Sequence, residues 1–199
     1  MIAMIADDSR LNLAHQNLRS VPKTLVNSFQ EVVKIIDVSN NTISDVSFLR
    51  SFKNLTSIIF DHNYITSETV FPYLSSVRIL WLNYNHITTY SDFIKHLRSR
   101  FPHLKQLSLM GNPGIPQCRE ETYYDYLRYR LYVISCFEEL EYLDDRTVSE
   151  HEKEEAQRLF GTPAFEKYVS KSIPKVFRGA INRVREFITP SSDERPYLI

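Results

Sequence analysis

Residues 55–63 read LTSIIFDHN, and residues 77–85 read VRILWLNYN. Both follow one pattern: an aliphatic, two others, an aliphatic, one other, an aliphatic or Phe, two others, then Asn. The pattern returns in full as Val33-Ile36-Val38-Asn41 and as Leu104-Leu107-Leu109-Asn112. A degenerate first copy, Leu11-Leu13 followed by Gln16 and Leu18, precedes them. The Asn-position residues stand at 16, 41, 63, 85 and 112, giving spacings of 25, 22, 22 and 27. A period of this length marks a chain built from stacked repeats. The alternating aliphatics form a short strand. The Asn sits where the chain turns, and its amide is able to bond its own turn and the neighbouring one. The remaining dozen residues of each repeat form a convex return, expected to bury Ile43 and Val46, Ile65 and Val70, or Ile87 and Phe93. In the longest repeat, Ser91–Arg100 (SDFIKHLRSR) reads as a helix, with Ser91 as N-cap and Phe93, Ile94 and Leu97 facing inward.

A stack must end without exposing its last apolar layer. Pro113-Gly114-Ile115-Pro116 breaks the pattern after Asn112. Residues 120–135 then read as a helix, because Tyr123, Leu127, Leu131 and Ile134 recur at helical spacing. Residues 137–145 restore half a repeat through Leu140 and Leu143. Ser149-x-x-Glu152 is a capping box that opens another helix, running to about Phe160.

The stretch Tyr129-Arg130, Val133-Ile134, Leu140-x-x-Leu143-Asp144, Val148-Ser149-x-x-Glu152 resembles the C-terminal cap of intracellular leucine-rich repeat proteins. That group includes a spliceosomal A-prime subunit, acidic nuclear phosphoproteins and phosphatase-1 regulators. From about Phe60 to Phe160 the likeness is to the branch associated with melanocyte differentiation. It is carried by Asp61-His62-Asn63, Trp81-Leu82-Asn83, Leu107 to Pro113, Tyr129-Arg130, Leu143-Asp144 and Glu152-x-x-Glu155-Ala156. The expected fold is α/β: a short leucine-rich repeat solenoid of five to six repeats, with a curved parallel sheet, a helical C-terminal cap and a helical extension. The expected domains are residues 1–160, then an extension over 161–188, then a flexible tail over 189–199.

Bulk properties bound the function. Lys plus Arg equals Asp plus Glu, 24 each, so no net field argues for nucleic acid or membrane. The distribution is uneven. Residues 138–155 hold nine acids against Arg146 and Lys153, a net of −7, while residues 171–188 hold five bases against Glu186, a net of +4. The two cysteines, Cys118 and Cys136, lack the clustering of extracellular repeat proteins and suit a reducing compartment. The apolar start, residues 1–6, is too short for a signal-peptide core. No run approaches the ~18 apolar residues of a membrane span. Asn40-Asn41-Thr42 and Asn54-Leu55-Thr56 match a glycosylation pattern, but Asn41 is a repeat Asn and Asn54 lies at a repeat boundary. A cytoplasmic protein, recruited to organelle membranes, is the expectation.

Enzymatic signatures are missing. There is no glycine-rich phosphate loop, no His-x-x-x-His, no Cys-x-x-Cys and no Gly-x-Ser-x-Gly. Catalytic residues, cofactors and metal ligands are therefore not assigned. Asp61 and His62 are adjacent on a strand and point to opposite faces, which argues against an acid–base dyad.

Binding chemistry is written on the strand positions that face outward. They should be polar where solvated, yet Ile35, Ile59, Ile79, Trp81, Tyr84 and Met110 are apolar or aromatic. An apolar patch with Trp and Tyr near its centre has the anatomy of a protein interface, and Asp37, Asp61 and His62 would be its polar rim. Packing of Trp81 under a loop or the chain's own tail is the competing reading.

Beyond residue 161 the apolar stripe Phe177, Ile181, Val184, Ile188 marks a basic helix over 174–188. Three readings stand for it: packing on the solenoid, docking into a partner's groove, or lying on an anionic membrane. Arg195-Pro196-Tyr197-Leu198-Ile199 is either a linear motif or an ordinary chain end. The family resemblance implies an adaptor, an effector of GTP-bound Rab GTPases that links lysosome-related organelles or endosomes to trafficking machinery. The alternative is an A-prime-like scaffold gripping an RNA-recognition-module protein. Direct RNA contact is not expected, because basic and aromatic residues do not interleave on the outward strand positions.

Overall fold

In the computed structural model, which describes residues 9–161, the repeats stack into a curved sheet. Its strands are β1 (Arg10–Asn12), β2 (Ile35–Asp37), β3 (Ser57–Ile59), β4 (Ile79–Trp81), β5 (Gln106–Ser108), β6 (Tyr142–Leu143) and β7 (Arg146–Thr147). They lie side by side in chain order. Every pair from β1 to β6 is parallel, and β7 closes the sheet as an antiparallel hairpin. Parallel neighbours require a crossover, and the convex return of each repeat supplies it. The two proposed segments beyond 161, and residues 1–8, lie outside the described residues.

The register lines up one aliphatic from every repeat: Leu11, Ile36, Ile58, Leu80, Leu107, Leu143. None of the six is more than 1% exposed. Parallel rows above and below it, such as Val38, Phe60, Leu82 and Leu109, are equally buried. The solenoid core is thus a set of stacked apolar ladders, one rung per repeat.

The Asn ladder forms as expected. Asn63 Nδ2 donates to Val38 O (2.9 Å) in the preceding repeat and to Phe60 O (3.2 Å) in its own, while Oδ1 accepts from Ile43 N at 2.9 Å. Asn41, Asn85 and Asn112 repeat this arrangement. Each amide replaces the backbone partners that a turn would leave unpaired. Asn41 is therefore committed to the core, whereas Asn40 before it is exposed at the turn, and Asn54 uses its exposed amide on Glu31 O at 2.6 Å.

Helices line the convex side and the end: α1 (Lys23–Phe29), α2 (Ser91–Arg100), α3 (Tyr123–Cys136) and α4 (Glu150–Phe160), with a 3-10 turn over Ser47–Ser51. Two expectations need correction. Ser91 is the first helical residue rather than the cap; Tyr90 occupies the N-cap in a helical conformation, with no side-chain bond. Val70 is 66% exposed, and Phe71 is buried in its place. The larger ring wins the site because it packs edge-on against Phe93 and Phe101, and the Phe71 N–H donates to His96 Nε2 at 3.1 Å.

The Ser149 capping box is present in both directions. It is tied to Arg130, 1% exposed, whose guanidinium meets Glu152 at 2.6 Å and donates to Leu143 O and Thr147 O. One buried charge pair therefore joins α3, α4 and the closing hairpin.

Candidate protein-interaction site

Because the Leu11-to-Leu143 row points into the core, the strand residues beside it point out onto the concave face. The register sets them in rows. One runs Arg10, Ile35, Ser57, Ile79, Gln106, Tyr142, and the next Asn12, Asp37, Ile59, Trp81, Ser108. Asp61, Asn83 and Met110 continue the face at the strand ends. His62 and Tyr84 follow at the turns, where His62 N donates to Asn83 O and Tyr84 N donates to Met110 O. All nine residues expected to form the interface thus lie on the concave face or its turn edge.

Their exposure is not uniform. Ile35, Ile79, Trp81 and Met110 are half-buried, and Tyr84 is 55% exposed. Ile59, expected to be accessible, is only 4% exposed and Asp37 only 8%. Concave curvature crowds the middle of the face, and Ile59 sits in register between Asp37 and the large Trp81.

Several polar groups of the floor are bonded to one another. Asp37 takes the Arg10 guanidinium at 2.8 Å and the Ser39 hydroxyl at 2.8 Å. Asp61 accepts from Asn83 N (2.8 Å) and Nδ2 (3.2 Å). Asn83 Oδ1 in turn accepts from the Ser108 hydroxyl (2.6 Å) and Met110 N (2.8 Å). Burial pushes the Asp61 carboxyl above the usual range, partly offset by the bonds from Asn83. With these groups committed, the apolar side chains of Ile35, Ile79 and Trp81 remain for a partner to cover.

The turn edge carries a pattern that single-repeat reading missed. His15, Asn40, His62, Tyr84 and Gly111 each precede the Asn position, and each has a positive φ. Asn and Gly suit that conformation, whereas a bulky aromatic there is unusual and costs about 1–2 kcal/mol. Tyr84 is held by stacking on His62, with centroids 4.4 Å apart and an interplanar angle of 8°. Its other neighbour is Gly111, where any Cβ would run into the ring. One step on, Tyr64 and His86 pair at 5.0 Å. All four rings are exposed. The signal was available by aligning the repeats column by column, since His62 and Tyr84 share one column and Tyr64 and His86 the next.

Beside Tyr84 a cleft of about 300 Å³ opens between the last full repeat and the cap. Met110, Ile115 and Tyr126 line it, with Asp144, Asp145 and Arg146 on one wall. Burial pushes the Asp144 carboxyl up to about 6, despite bonds from Leu109 N and the Tyr129 hydroxyl. Among the described residues no three His, Cys, Asp or Glu side chains group as metal ligands, and Cys118 and Cys136 are not disulfide-bonded. Among the same residues no helix is long and apolar enough to cross a membrane.

The profile described as "Leucine-rich repeat" matches residues 24–173, well over half of the 199. The chain belongs to the leucine-rich repeat family. This leucine-rich repeat chain is 34% identical to the human leucine-rich melanocyte differentiation-associated protein over 129 residues, 62% of this chain and 65% of that one. It is 39% identical to human leucine-rich repeat-containing protein 36 over 111 residues, 56% of this chain but 13% of the relative. The U2 small nuclear ribonucleoprotein A' of Candida albicans is 29% identical over 137 residues, 67% of this chain and 53% of that protein. The matches thus span less than two thirds of each relative's length. A chain in the crystal structure of the Drosophila melanogaster SNF/U2A' complex shares the fold, with a TM-score of 0.55 at 19% identity, covering 79% of this chain and 84% of that one. The expected family and fold are borne out, and the repeat domain is of the protein-interaction scaffold type.

Proposed function

We propose that this protein is a non-enzymatic adaptor that binds a protein partner through the concave face and its turn edge. One observation carries this: Ile35, Ile79 and Trp81 are left partly open on a floor where Asp37, Asp61, Asn83 and Ser108 are already hydrogen-bonded within the chain. Such a face gains little from solvent and much from covering its apolar side chains. Trp81 sits near the middle of the sheet, where an interface concentrates its energy.

The finer reading is a GTP-bound small GTPase of the Rab type as the concave partner, with the protein recruited from the cytoplasm to endosomes or lysosome-related organelles. It is supported by the likeness to the human melanocyte-associated relative. The C-terminal extension, 161–188, and the tail from Arg195 to Ile199 would serve a second partner in the trafficking machinery. Selectivity for the GTP state requires differential contact with switch segments, and Trp81 and its apolar neighbours are the candidates for it.

A second reading, an A-prime-like scaffold holding an RNA-recognition-module protein, is favoured by the Candida albicans relative. One pull-down separates the two. The full chain and Trp81→Ala are compared on lysate loaded with a GTP analogue or GDP. A Rab GTPase retained only with the analogue, and lost with Trp81→Ala, is the expected result. Recovery of splicing proteins whatever the nucleotide would establish the second reading instead.

A further inference from the structure

We propose that the cleft between the last full repeat and the cap receives an arginine side chain presented by the protein partner that lies on the concave face. The inference rests on the adaptor reading and specifies what the partner must carry. Continuity is the first argument. Met110 follows strand β5 on the concave side and also lines the cleft, and Tyr84 both stacks on His62 and lines the cleft. A partner covering Trp81 therefore reaches the cleft without leaving the surface.

Charge complementarity is the second. Asp144 uses one oxygen for Leu109 N at 2.9 Å and the other for the Tyr129 hydroxyl at 3.3 Å. An ionised carboxylate has about four acceptor sites, so each oxygen retains capacity. The Asp145 side chain is 60% exposed, and Arg146 Nε stands 3.8 Å from it, beyond good hydrogen-bond length. Two adjacent carboxylates thus line a mostly apolar cleft with Arg146, while the nearby Arg130 guanidinium is already paired with Glu152.

The shape of the lining is the third. Tyr84 and Tyr126 offer aromatic walls. A guanidinium stacks on aromatic rings and bonds carboxylates at its edge, and it is less strongly hydrated than an ammonium. A leucine side chain would fill the cleft but desolvate both carboxylates while adding no charge to offset them. A carboxylate guest would meet like charge.

The chain has three methionines, and Met110 is the only one within residues 9–161. Methyl-labelled methionine therefore gives a reporter inside the cleft. Full-length protein is titrated with Nα-acetyl-arginine methylamide and, separately, with Nα-acetyl-leucine methylamide. The Met110 signal should move saturably with the arginine probe, at least fivefold more tightly than with the leucine probe. Asp145→Asn, a conservative change at an exposed side chain, should weaken the arginine probe at least threefold and leave the leucine probe unchanged. Equal response to both probes, no movement of Met110, or indifference to Asp145→Asn would overturn the proposal. Arg195→Ala without probe should leave the Met110 signal in place; a shift would put the chain's own terminus in the cleft and overturn it too. Trp81→Ala should not alter probe binding, so failure of the concave-face reading and failure of the cleft reading are told apart.

Discussion

Arg130 and Glu152 form a charge pair at 2.6 Å with side chains only 1% and 4% exposed, and they link helices α3 and α4. The same guanidinium donates to Leu143 O and Thr147 O, and the same carboxylate accepts from Ser149 N. Sealing the end of the solenoid thus depends on one fully used ion pair.

Removing one partner leaves an uncompensated buried charge. Arg130→Met should cost about 3–5 kcal/mol in urea unfolding. Glu152→Leu should cost a similar amount and also lose the capping box. The double variant should cost clearly less than the sum, because no charge remains buried. Strict additivity in the double-mutant cycle would show that the two residues act independently.

The Asn ladder predicts a graded series. Asn63→Ala orphans the buried Ile43 N–H and takes one of two amide donors from Val38 O and Phe60 O, which keep Asn41 Nδ2 and Asn85 Nδ2, and should cost about 2–3 kcal/mol. Asn41→Ala should cost less, about 1–2 kcal/mol, because its Oδ1 serves Gln16 N and Leu18 N in part-buried surroundings where water can substitute. Equal midpoint shifts for the two variants would contradict this account.

Most of the fold was legible because each repeat restates it. Leu55, Ile58, Phe60 and Asn63 state a strand and a turn without help from other repeats. The helix over 91–100 and the Ser149 capping box are local signals too, and both elements formed. The β7 hairpin and α1 escaped, since Arg146–Thr147 and Lys23–Phe29 carry no strong periodicity of their own. The site was legible in outline only. Outward strand positions can be read from alternation, but their coverage depends on curvature, which buried Ile59 and Asp37. The His62–Tyr84 stack and the cleft arise between repeats, so no single repeat contains them.

Gly111 and Tyr84 make a paired prediction. Gly111 has φ +73°, and a Cβ there would meet the Tyr84 ring. Gly111→Ala should therefore cost about 1–3 kcal/mol through strain and displacement of the ring. Tyr84→Asn removes the ring while placing a residue tolerant of positive φ. It should change stability by less than about 1 kcal/mol, and combined with Gly111→Ala it should recover part of that loss. Thermal unfolding of the three variants checks this, and no recovery in the double variant would mean that backbone strain alone sets the cost.

Asp144 makes stability depend on pH with a sign opposite to that of a salt-bridged aspartate. Its folded value is about 6 against 3.8 for an ordinary aspartate. Above pH 6 it is ionised in both states, and the folded state bears the cost of desolvating it. Between pH 6 and 4 the folded protein holds a proton that the unfolded chain releases, so folding is favoured as pH falls. The full gain, reached below the unfolded value, is up to about 3 kcal/mol. Asp61 is raised by burial and acts in the same sense, whereas burial lowers His96, which acts against it. The informative quantity is therefore the difference between wild type and Asp144→Asn. The amide keeps an acceptor for Leu109 N without ever ionising. Asp144→Asn should be more stable than wild type at pH 7.5, and the advantage should shrink steadily as pH falls through 6 towards 4. Urea unfolding at pH 7.5, 6 and 4.5 measures it, and an advantage independent of pH would assign the effect to packing rather than to the carboxylate.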